Sequence, residues 1–376
     1  MSFALGATLL AIAAAYSLAS LALLPRGVRA TSPGRASAPA PISVLKPLCG
    51  AEPHLEECLE SFFRQHHPSF ELVFGARDRD DPALAIVERL RARHRACTVQ
   101  VVVGDRGAGA NPKTRNLAGM LGAARHGVIL ISDSDVLVPE DHLAAVGAEL
   151  AQDGVGAVTC LYLARPGLGL ASRLGASFVN DWFHPAVLFS RALGNPSFAS
   201  GVTIALERDV LERIGGFGAI ADHLADDWAL CARVRALGLR TVLSRSVART
   251  ALGNEPAPAI AQRELRWLRT IRSIDPAGYA LLFLTMPLPL AGAGFLLAQG
   301  APWAWVGLAL VAALRAALHL RQARRAGAGP WQDLPWAPVR DALLLLAWLA
   351  GFLGHGVRWR GRRYFLDRKG AIRPGP

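Results

Sequence analysis

Residues 128–135 read Val128-Ile129-Leu130-Ile131-Ser132-Asp133-Ser134-Asp135. A short run of branched apolar residues, too brief for a helix, is the pattern of a strand covered on both faces. Residues 128–132 are therefore expected as a strand, which breaks at once into two carboxylates on alternate residues. Toward the N-terminus, Ile42-Ser43-Val44-Leu45 is a similar run, 70–75 a second strand and 99–103 a third. Helical spacing fills the intervals. Residues 53–63 place Leu55, Cys58, Leu59 and Phe62 together, 82–94 place Leu84, Val87 and Leu90 on one face, and 116–124 are helical as well. Strands alternating with helices indicate an α/β chain with a mostly parallel sheet. Ligands on such sheets bind beyond the carboxyl ends of the strands. Two loops matter most: Arg77-Asp78-Arg79-Asp80-Asp81-Pro82 after the second strand and Asp133-Ser134-Asp135 after the fourth.

Alternate carboxylates past a buried strand suit a hard divalent cation, since Mg²⁺ and Mn²⁺ take oxygen ligands and share them with substrate phosphates. Capping of the next helix, or an Asx turn, accounts for the same residues, and a lone DxD does not decide between them. Neither GxxxxGK[ST] nor GxGxxG opening a helix occurs. Residues 104–109 follow a strand, but no periodic helix follows at once, so a P-loop and a nicotinamide site are excluded.

The chain has 376 residues, is 52% hydrophobic and 19% charged, and carries a net charge of +12. That hydrophobicity excludes a disordered chain, and glycine without a period excludes collagen. Cys49, Cys58, Cys97, Cys160 and Cys231 are scattered with no CxxC pair, which reads as reduced thiols facing the cytosol. Residues 3–24 carry no charge and are long enough to span a bilayer. A cleaved signal peptide needs a positive n-region, which is missing. Arg26, Arg29 and Arg35 follow the run, so an uncleaved anchor with its N-terminus outside is expected. Residues 31–41, rich in Pro, Ser, Gly and Ala, read as a linker.

Three more apolar stretches occupy 279–299, 302–320 (with Arg315 and His319) and about 340–357; each is a span, a re-entrant segment or an interfacial helix. The basic, aromatic residues 358–364 and the group Arg321, Arg324 and Arg325 both belong on the cytosolic side. We therefore expect 279–320 as a tight hairpin and 340–357 as embedded without a full crossing. The arginine excess around these segments points to an anionic inner leaflet. With no zinc knuckle, RNP-like box or basic-aromatic repeat, nucleic acid is not expected as a partner.

Several segments in order resemble one family: Lys46-Pro47-Leu48, Asp78 within residues 77–83, Asn111-Pro112-Lys113, Asp133-Ser134-Asp135, His184-Pro185, Asp226-Asp227-Trp228, and Arg263-Glu264-Leu265-Arg266-Trp267. The sequence is similar to the ceramide glucosyltransferase family, over about 40–275 and in its apolar ends. Around 221–227 and 264–270 it is similar to the bacterial, hopanoid-associated branch. The resemblance implies an α/β, GT-A type (nucleotide-diphospho-sugar transferase) domain with N-terminal and C-terminal membrane helices. It divides the chain into an anchor (1–25), a linker (26–40), the catalytic domain (41–275), a membrane-embedded region (276–360) and a basic cytosolic tail (361–376). It also implies a UDP-sugar donor, a lipid hydroxyl acceptor in ceramide or a hopanoid polyol, Mg²⁺ or Mn²⁺, and a multi-pass protein of the bacterial inner membrane with its catalytic domain cytosolic. Carried over residue by residue, Lys46, Asp78, Lys113, Asp133, Asp135, His184, Arg263, Arg266 and Trp267 bind the donor. Asp133 and Asp135 hold the metal, although the animal enzymes can carry Gly at the third position of the DxD. Asp227 is the implied catalytic base.

The chemistry needs these residue types. Arg263 and Arg266 lie three apart on one helical face, and a guanidinium suits bidentate phosphate contact. The acceptor hydroxyl must lose a proton as it attacks, and a general base contributes roughly 10²–10⁴-fold. One base without a second carboxylate nucleophile implies inversion at the anomeric carbon. Each assignment has a structural rival. Asp226-Asp227 opens a helix, so one of the two caps it; Asp226 is expected as the cap and Asp227 as the reacting group, with the reverse still open. Trp267 also fits plain packing and His184 a structural histidine. Arg263, Arg266, Arg269 and Arg272 also read as a juxtamembrane cluster attracted to anionic lipid. Two other functions compete. A processive polysaccharide synthase shares the DxD and Arg-Trp box but needs several clear membrane helices. A transporter or scaffold whose soluble domain has lost catalysis would be marked by intramembrane ionisable groups; only Arg315 and His319 qualify, and the presence of every expected Asp argues against a dead enzyme.

Overall fold

The computed structural model describes residues 2–24, 39–104 and 107–375. Arg26, Arg29, Arg35 and most of the expected linker lie outside the described residues. The described chain forms two compact units, one of residues 39–162 and 196–253, the other of residues 2–24, 163–195 and 254–375.

In chain order, α1 is Ser2–Leu23. The first unit opens with β1 (Ile42–Pro47), α2 (Leu55–Phe63), β2 (Phe70–Ala76), α3 (Pro82–Arg93), β3 (Thr98–Val103) and α4 (Pro112–Leu121). It continues with β4 (Val128–Ile131), β5 (Val136–Leu137), α5 (His142–Leu150) and β6 (Val155–Thr159). The chain leaves through β7 (Tyr162–Arg165) into α6 (Leu170–Ser177), a π-helix (Phe178–Phe183) and α7 (His184–Ala192). It returns for β8 (Ile204–Glu207), α8 (Arg208–Arg213), α9 (Asp226–Ala236), β9 (Arg240–Leu243) and β10 (Ala248–Ala251). The rest comprises α10 (Ala257–Ile274), α11 (Pro276–Leu281), α12 (Pro287–Leu297), α13 (Pro302–Ala326), α14 (Pro330–Asp333), α15 (Ala337–Gly351), β11 (Gly356–Trp359), β12 (Arg362–Leu366) and β13 (Ile372–Pro374).

The first unit is built on a seven-stranded sheet of order β3-β2-β1-β4-β8-β6-β9. β1 runs parallel to β2 and β4, and β2 to β3, while β8 is antiparallel to both β4 and β6. Every residue of β1 and β4 is buried, which is why β4 is wholly apolar and β1 is interrupted only by Ser43 and Lys46, both hydrogen-bonded. Leu45, Val73, Ile129, Ile131, Leu206 and Leu230 belong to the core beneath. Leu45 pairs with Ile131, the last residue of β4, so Ser132 leaves β4 beside Lys46, while β1 continues to Pro47 along β2. The helix expected over 116–124 instead runs Pro112–Leu121. Asn111 caps it, accepting from Lys113 N at 2.8 Å and Thr114 N at 3.3 Å, and Pro112 takes the first helical position.

The second unit is helical and takes 163–195 and 254–275 with it, residues expected within the catalytic domain. α1 packs on α12 and α13 through Leu10, Ala13, Leu290, Ala291, Ala304 and Val311. A Cβ on Gly6 would stand 2.7 Å from the Gly294 carbonyl oxygen, so small residues let the two backbones meet. α1 and α13 are each long and apolar enough to cross a membrane. The stretch expected as one segment over 279–299 is a bent pair, Pro276–Thr285 and Pro287–Leu297, at 71°. Pro287 cannot donate to the preceding turn, and the helix restarts there. The described residues thus hold two helices of spanning length, three if the bent pair is one span.

Arg315 and His319 do not stand alone. Arg315 Nη2 lies 2.9 Å from Asp341 Oδ1 and its Nη1 3.2 Å from Asp181 Oδ2, while His319 Nδ1 lies 2.7 Å from the same Asp181 oxygen. All four side chains are buried, so this is a charge network inside the fold, not a ladder along a transport path. Arg269 and Arg272, two of the four arginines read as a lipid-attracting cluster, spend their guanidiniums on main-chain carbonyls of Leu353, Gly354 and Gly356. The segment read as a tail from 361 is folded: β12 and β13 form an antiparallel sheet with β11.

Candidate active site

The carboxyl ends of β1 and β4 meet four separate segments of the first unit. The central group is the Lys113 ammonium, on the first turn of α4, 2.7 Å from Asp133 Oδ1 and 3.1 Å from Asp226 Oδ2. Burial alone would lower its pKa, but the Asp133 and Asp226 carboxylates hold it well above the ordinary lysine value. The position of α4 is fixed from the far side. Ala110 N donates to Asp222 Oδ1 at 2.7 Å, and Asn111 Nδ2 donates to the His223 carbonyl at 2.8 Å. The segment carrying Asp226 and Asp227 is therefore laced to the segment carrying Lys113.

Asp227 Oδ2 accepts from Gly201 N at 2.9 Å and Oδ1 from Trp228 N at 2.7 Å. Burial, then the neighbouring Asp226 carboxylate, pushes Asp227 up to about 7, with Lys113 opposing. Burial also raises Asp226. The two aspartates differ from the expected division of labour. α9 begins with no side-chain cap bond, Asp226 faces Lys113, and Asp227 is the one held by backbone N–H groups. A Cβ on Gly201 would lie 2.9 Å from Lys113 Nζ and 3.0 Å from Asp133 Oδ2, so the bare backbone is what admits the ion pair.

On the other side of Asp133, Lys46 is completely buried at the end of β1. Its ammonium donates to the Asp133 carbonyl and to Ser132 Oγ (3.3 Å), and stands 4.0 Å from the centre of the Phe62 ring. Burial pulls it down to about 8 while Cys58, Asp135 and Asp133 hold it up. Lys46 thus props the loop from beneath. Asp135 is pushed up to about 7 by burial, then by Asp133 and Glu52. Glu52 Oε2 accepts from Ser134 Oγ at 2.5 Å.

Asp78 stays exposed after β2, its Oδ1 3.9 Å from Arg77 Nε. Its neighbour Asp81 accepts from Ala83 N to cap α3 and from Gly50 N at 3.0 Å. His184 opens α7, completely buried. Arg263, Arg266 and Trp267 lie on α10. Arg263 pairs with Glu255 and sits 5.8 Å from the Trp267 ring, which packs 5.9 Å from Phe178. These four belong to the helical unit. Lys46, Lys113, Asp133 and Asp227 are brought together, joined by Asp226, which the sequence reading expected as a helix cap, and by Glu52 and Gly201, which it did not assign. The Gly before a strand start was a signal for Gly201; Glu52 carried none.

Among the described residues no three His, Cys, Asp or Glu side chains converge on one point. A hard divalent ion that shares its shell with substrate phosphates needs only one or two protein carboxylates. Asp133 fits this: its side chain is 34% exposed and already accepts a cationic ammonium. Asp135, raised by burial and then by the Asp133 carboxylate, would gain from added positive charge.

Compared with known protein families, residues 5–372 match the one described as Glycosyl transferase family 21. Among curated proteins, Ceramide glucosyltransferase 1 of Caenorhabditis elegans is 25% identical over 229 residues, 61% of this chain and 49% of its own length. Ceramide glucosyltransferase of Komagataella phaffii is 32% identical over 101 residues, 26% of this chain and 20% of its own. The chain thus spans no more than about half the length of these relatives. Among solved structures, the mannosyltransferase PcManGT from Pyrobaculum calidifontis, in complex with GDP-Man and Mn²⁺, is similar with a TM-score of 0.53 at 22% identity, covering 94% of this chain and 99% of that one. The likeness is one of fold, a mixed α/β, GT-A type unit; this chain also carries apolar helices near its N-terminus and in its C-terminal region.

Proposed function

The chain belongs to glycosyl transferase family 21, and from that premise we propose that it is a membrane-bound, inverting glycosyltransferase. It moves one sugar from a UDP-sugar, UDP-glucose or UDP-N-acetylglucosamine, to a lipid hydroxyl. The names of the curated relatives favour ceramide as acceptor; the similarity to the hopanoid-associated branch favours a hopanoid polyol. The observation that carries the reading is the charge set at the carboxyl edge of the sheet. One buried ammonium lies between two carboxylates, next to a third whose pKa is set near neutrality.

In the proposed reaction the lipid hydroxyl oxygen bonds to the anomeric carbon. The bond from that carbon to the diphosphate oxygen breaks, and its electron pair leaves with UDP. Asp227 accepts the hydroxyl proton, in the orientation its bonds from Gly201 N and Trp228 N impose. Lys113 offers the leaving diphosphate a cation that Asp133 and Asp226 position. Asp133 and Asp135 would hold Mg²⁺ or Mn²⁺, which when bound would supply further positive charge to the leaving diphosphate. Lys46 and Asp78 remain proposed donor residues, Lys46 through the Asp133 loop it supports. Arg263, Arg266, Trp267 and His184 are proposed for the donor on the resemblance of the Arg-Trp box. α1 and α13 are proposed as the anchors that hold the enzyme in a bacterial inner membrane with the α/β unit cytosolic.

The test is transfer by purified membranes supplied with several UDP-sugars and with ceramide or bacteriohopanepolyol. Asp227→Asn should abolish transfer and leave UDP binding largely intact. Anomeric configuration of the product, read by NMR, should be opposite to the donor's. A retained configuration, or normal turnover by the Asn variant, overturns the assignment.

A further inference from the structure

The C-terminal sheet has one face buried and one face with an unusual composition. Val357, Tyr364, Leu366 and Ile372 point inward. Arg360 and Gly361 form a two-residue turn with φ of 48° and 76°, which sets the register of β11 against β12. That register puts Arg358 directly opposite Arg363 and Phe365 opposite Arg373. Directly paired residues of an antiparallel sheet share a face, so the outer face carries three arginines around Phe365, which is 48% exposed. Like charges directly opposite destabilise a sheet, and none of the three guanidiniums has an ion-pair partner among the described residues. The face therefore presents three uncompensated positive charges to whatever lies outside the chain.

Its surroundings within the helical unit say which anions. Arg269 and Arg272 tie the start of β11 to the last turns of α10, after which Asp275 caps α11 and the bent apolar pair begins. On the other side, α15 runs into β11 with Leu346 59%, Leu349 49% and Leu353 70% exposed. At 15 residues α15 is about 22 Å long, short of a hydrocarbon core of about 30 Å. An exposed apolar helix face, a cationic sheet face and an exposed phenylalanine side by side match the headgroup boundary of an anionic bilayer.

We propose that the outer face of the β11–β13 sheet is a docking surface for the anionic phospholipid leaflet, its arginines on lipid phosphates and Phe365 in the acyl boundary. The proposal rests on the membrane reading above and adds a specific lipid-binding element to it.

The test uses the full chain purified in detergent, with fluorescent phosphatidylglycerol and phosphatidylcholine as probes, and inorganic phosphate and a single-stranded oligonucleotide as competitors. A basic residue at an anionic surface is worth about five-fold in affinity. The triple variant R358Q/R363Q/R373Q should therefore lose on the order of 100-fold for phosphatidylglycerol and little for phosphatidylcholine. Phe365→Ala should weaken both lipids. The control R91Q/R95Q/R245Q, with the same loss of charge in the α/β unit, should bind as the parent does. Unchanged phosphatidylglycerol binding by the triple variant overturns the proposal. So does equal loss in the control, full displacement by free phosphate at matched concentration, or tighter binding of the oligonucleotide. Carbonate extraction of membranes separates the two failures. If the chain stays in the pellet while lipid preference is unaltered, only this inference falls; if it is released, the membrane reading falls with it.

Discussion

The rate of transfer should follow the ionisation of Asp227, and the structure sets where. Burial, and next the Asp226 carboxylate, places Asp227 at about 7. A base must be ionised to accept a proton. About 90% of it is at pH 8, about 10% at pH 6 and about 1% at pH 5, so kcat/KM should fall roughly tenfold per unit below pH 7. Neighbours move the limb in opposite directions. Asp226→Asn removes a repelling charge and should shift the limb down, read from the pH profile rather than the absolute rate because Asp226 also positions Lys113. Lys113→Met removes the opposing cation and should shift it up. Asp135, also near 7, is a rival source of the limb, and Asp135→Asn separates the two by leaving a limb at the same pH if Asp227 is responsible. The assay is initial-rate transfer of labelled sugar from pH 5 to 8.5 at subsaturating donor. A limb near 4, the ordinary carboxylate range, or one that Asp226→Asn does not move, refutes the reasoning. The sign for folding follows from the same shift. Asp227 is raised above its unfolded value of about 3.9. It therefore weakens the fold above pH 7, and the penalty is relieved as pH falls from 7 toward 4.

Gly201→Ala puts a methyl 2.9 Å from Lys113 Nζ; UDP-sugar affinity by calorimetry should drop about tenfold or more and the unfolding midpoint should fall with it, since one or two hydrogen bonds to a charged group are at stake. Arg315→Met leaves Asp341 and Asp181 uncompensated in the interior and should cost about 3–5 kcal/mol in detergent unfolding, most of it regained when Asp341 is also replaced by Leu. Asn111→Ala removes the acceptor for Lys113 N and Thr114 N and should cost about 1 kcal/mol by denaturant titration, with a larger loss of activity because α4 carries Lys113.

Much of the α/β unit was legible because burial on both faces writes itself as a short, mostly apolar run. Residues 42–45 and 70–75, broken only by Ser43 and Glu71, read as strands and are strands, and the strand expected over 128–132 runs Val128–Ile131. The start of α4 carried a readable signal in Asn111-Pro112, which periodicity overlooked because its apolar face begins later, near Asn116 and Leu117. Pairings across the chain left no trace in local pattern. Nothing in the spacing says that Lys113 meets Asp226, 113 residues on, or that the segment leading into antiparallel β8 brings Gly201 to Lys113 and Asp133. Compensated charge misled in the other direction. Arg315, His319, Arg269 and Arg272 look functional in a one-dimensional reading because their partners lie far off in sequence.

Lysine is rare in this chain: Lys46, Lys113 and Lys369 are the three. The first is sealed under a phenylalanine ring and the second is 9% exposed, while Lys369 stands in the open between β12 and β13. Apart from the α-amino terminus, the folded chain therefore offers acylating reagents a single primary amine. A dye coupled there under native conditions reports from one known position, and a second label taken up over time marks the loosening of the interior around Asp133.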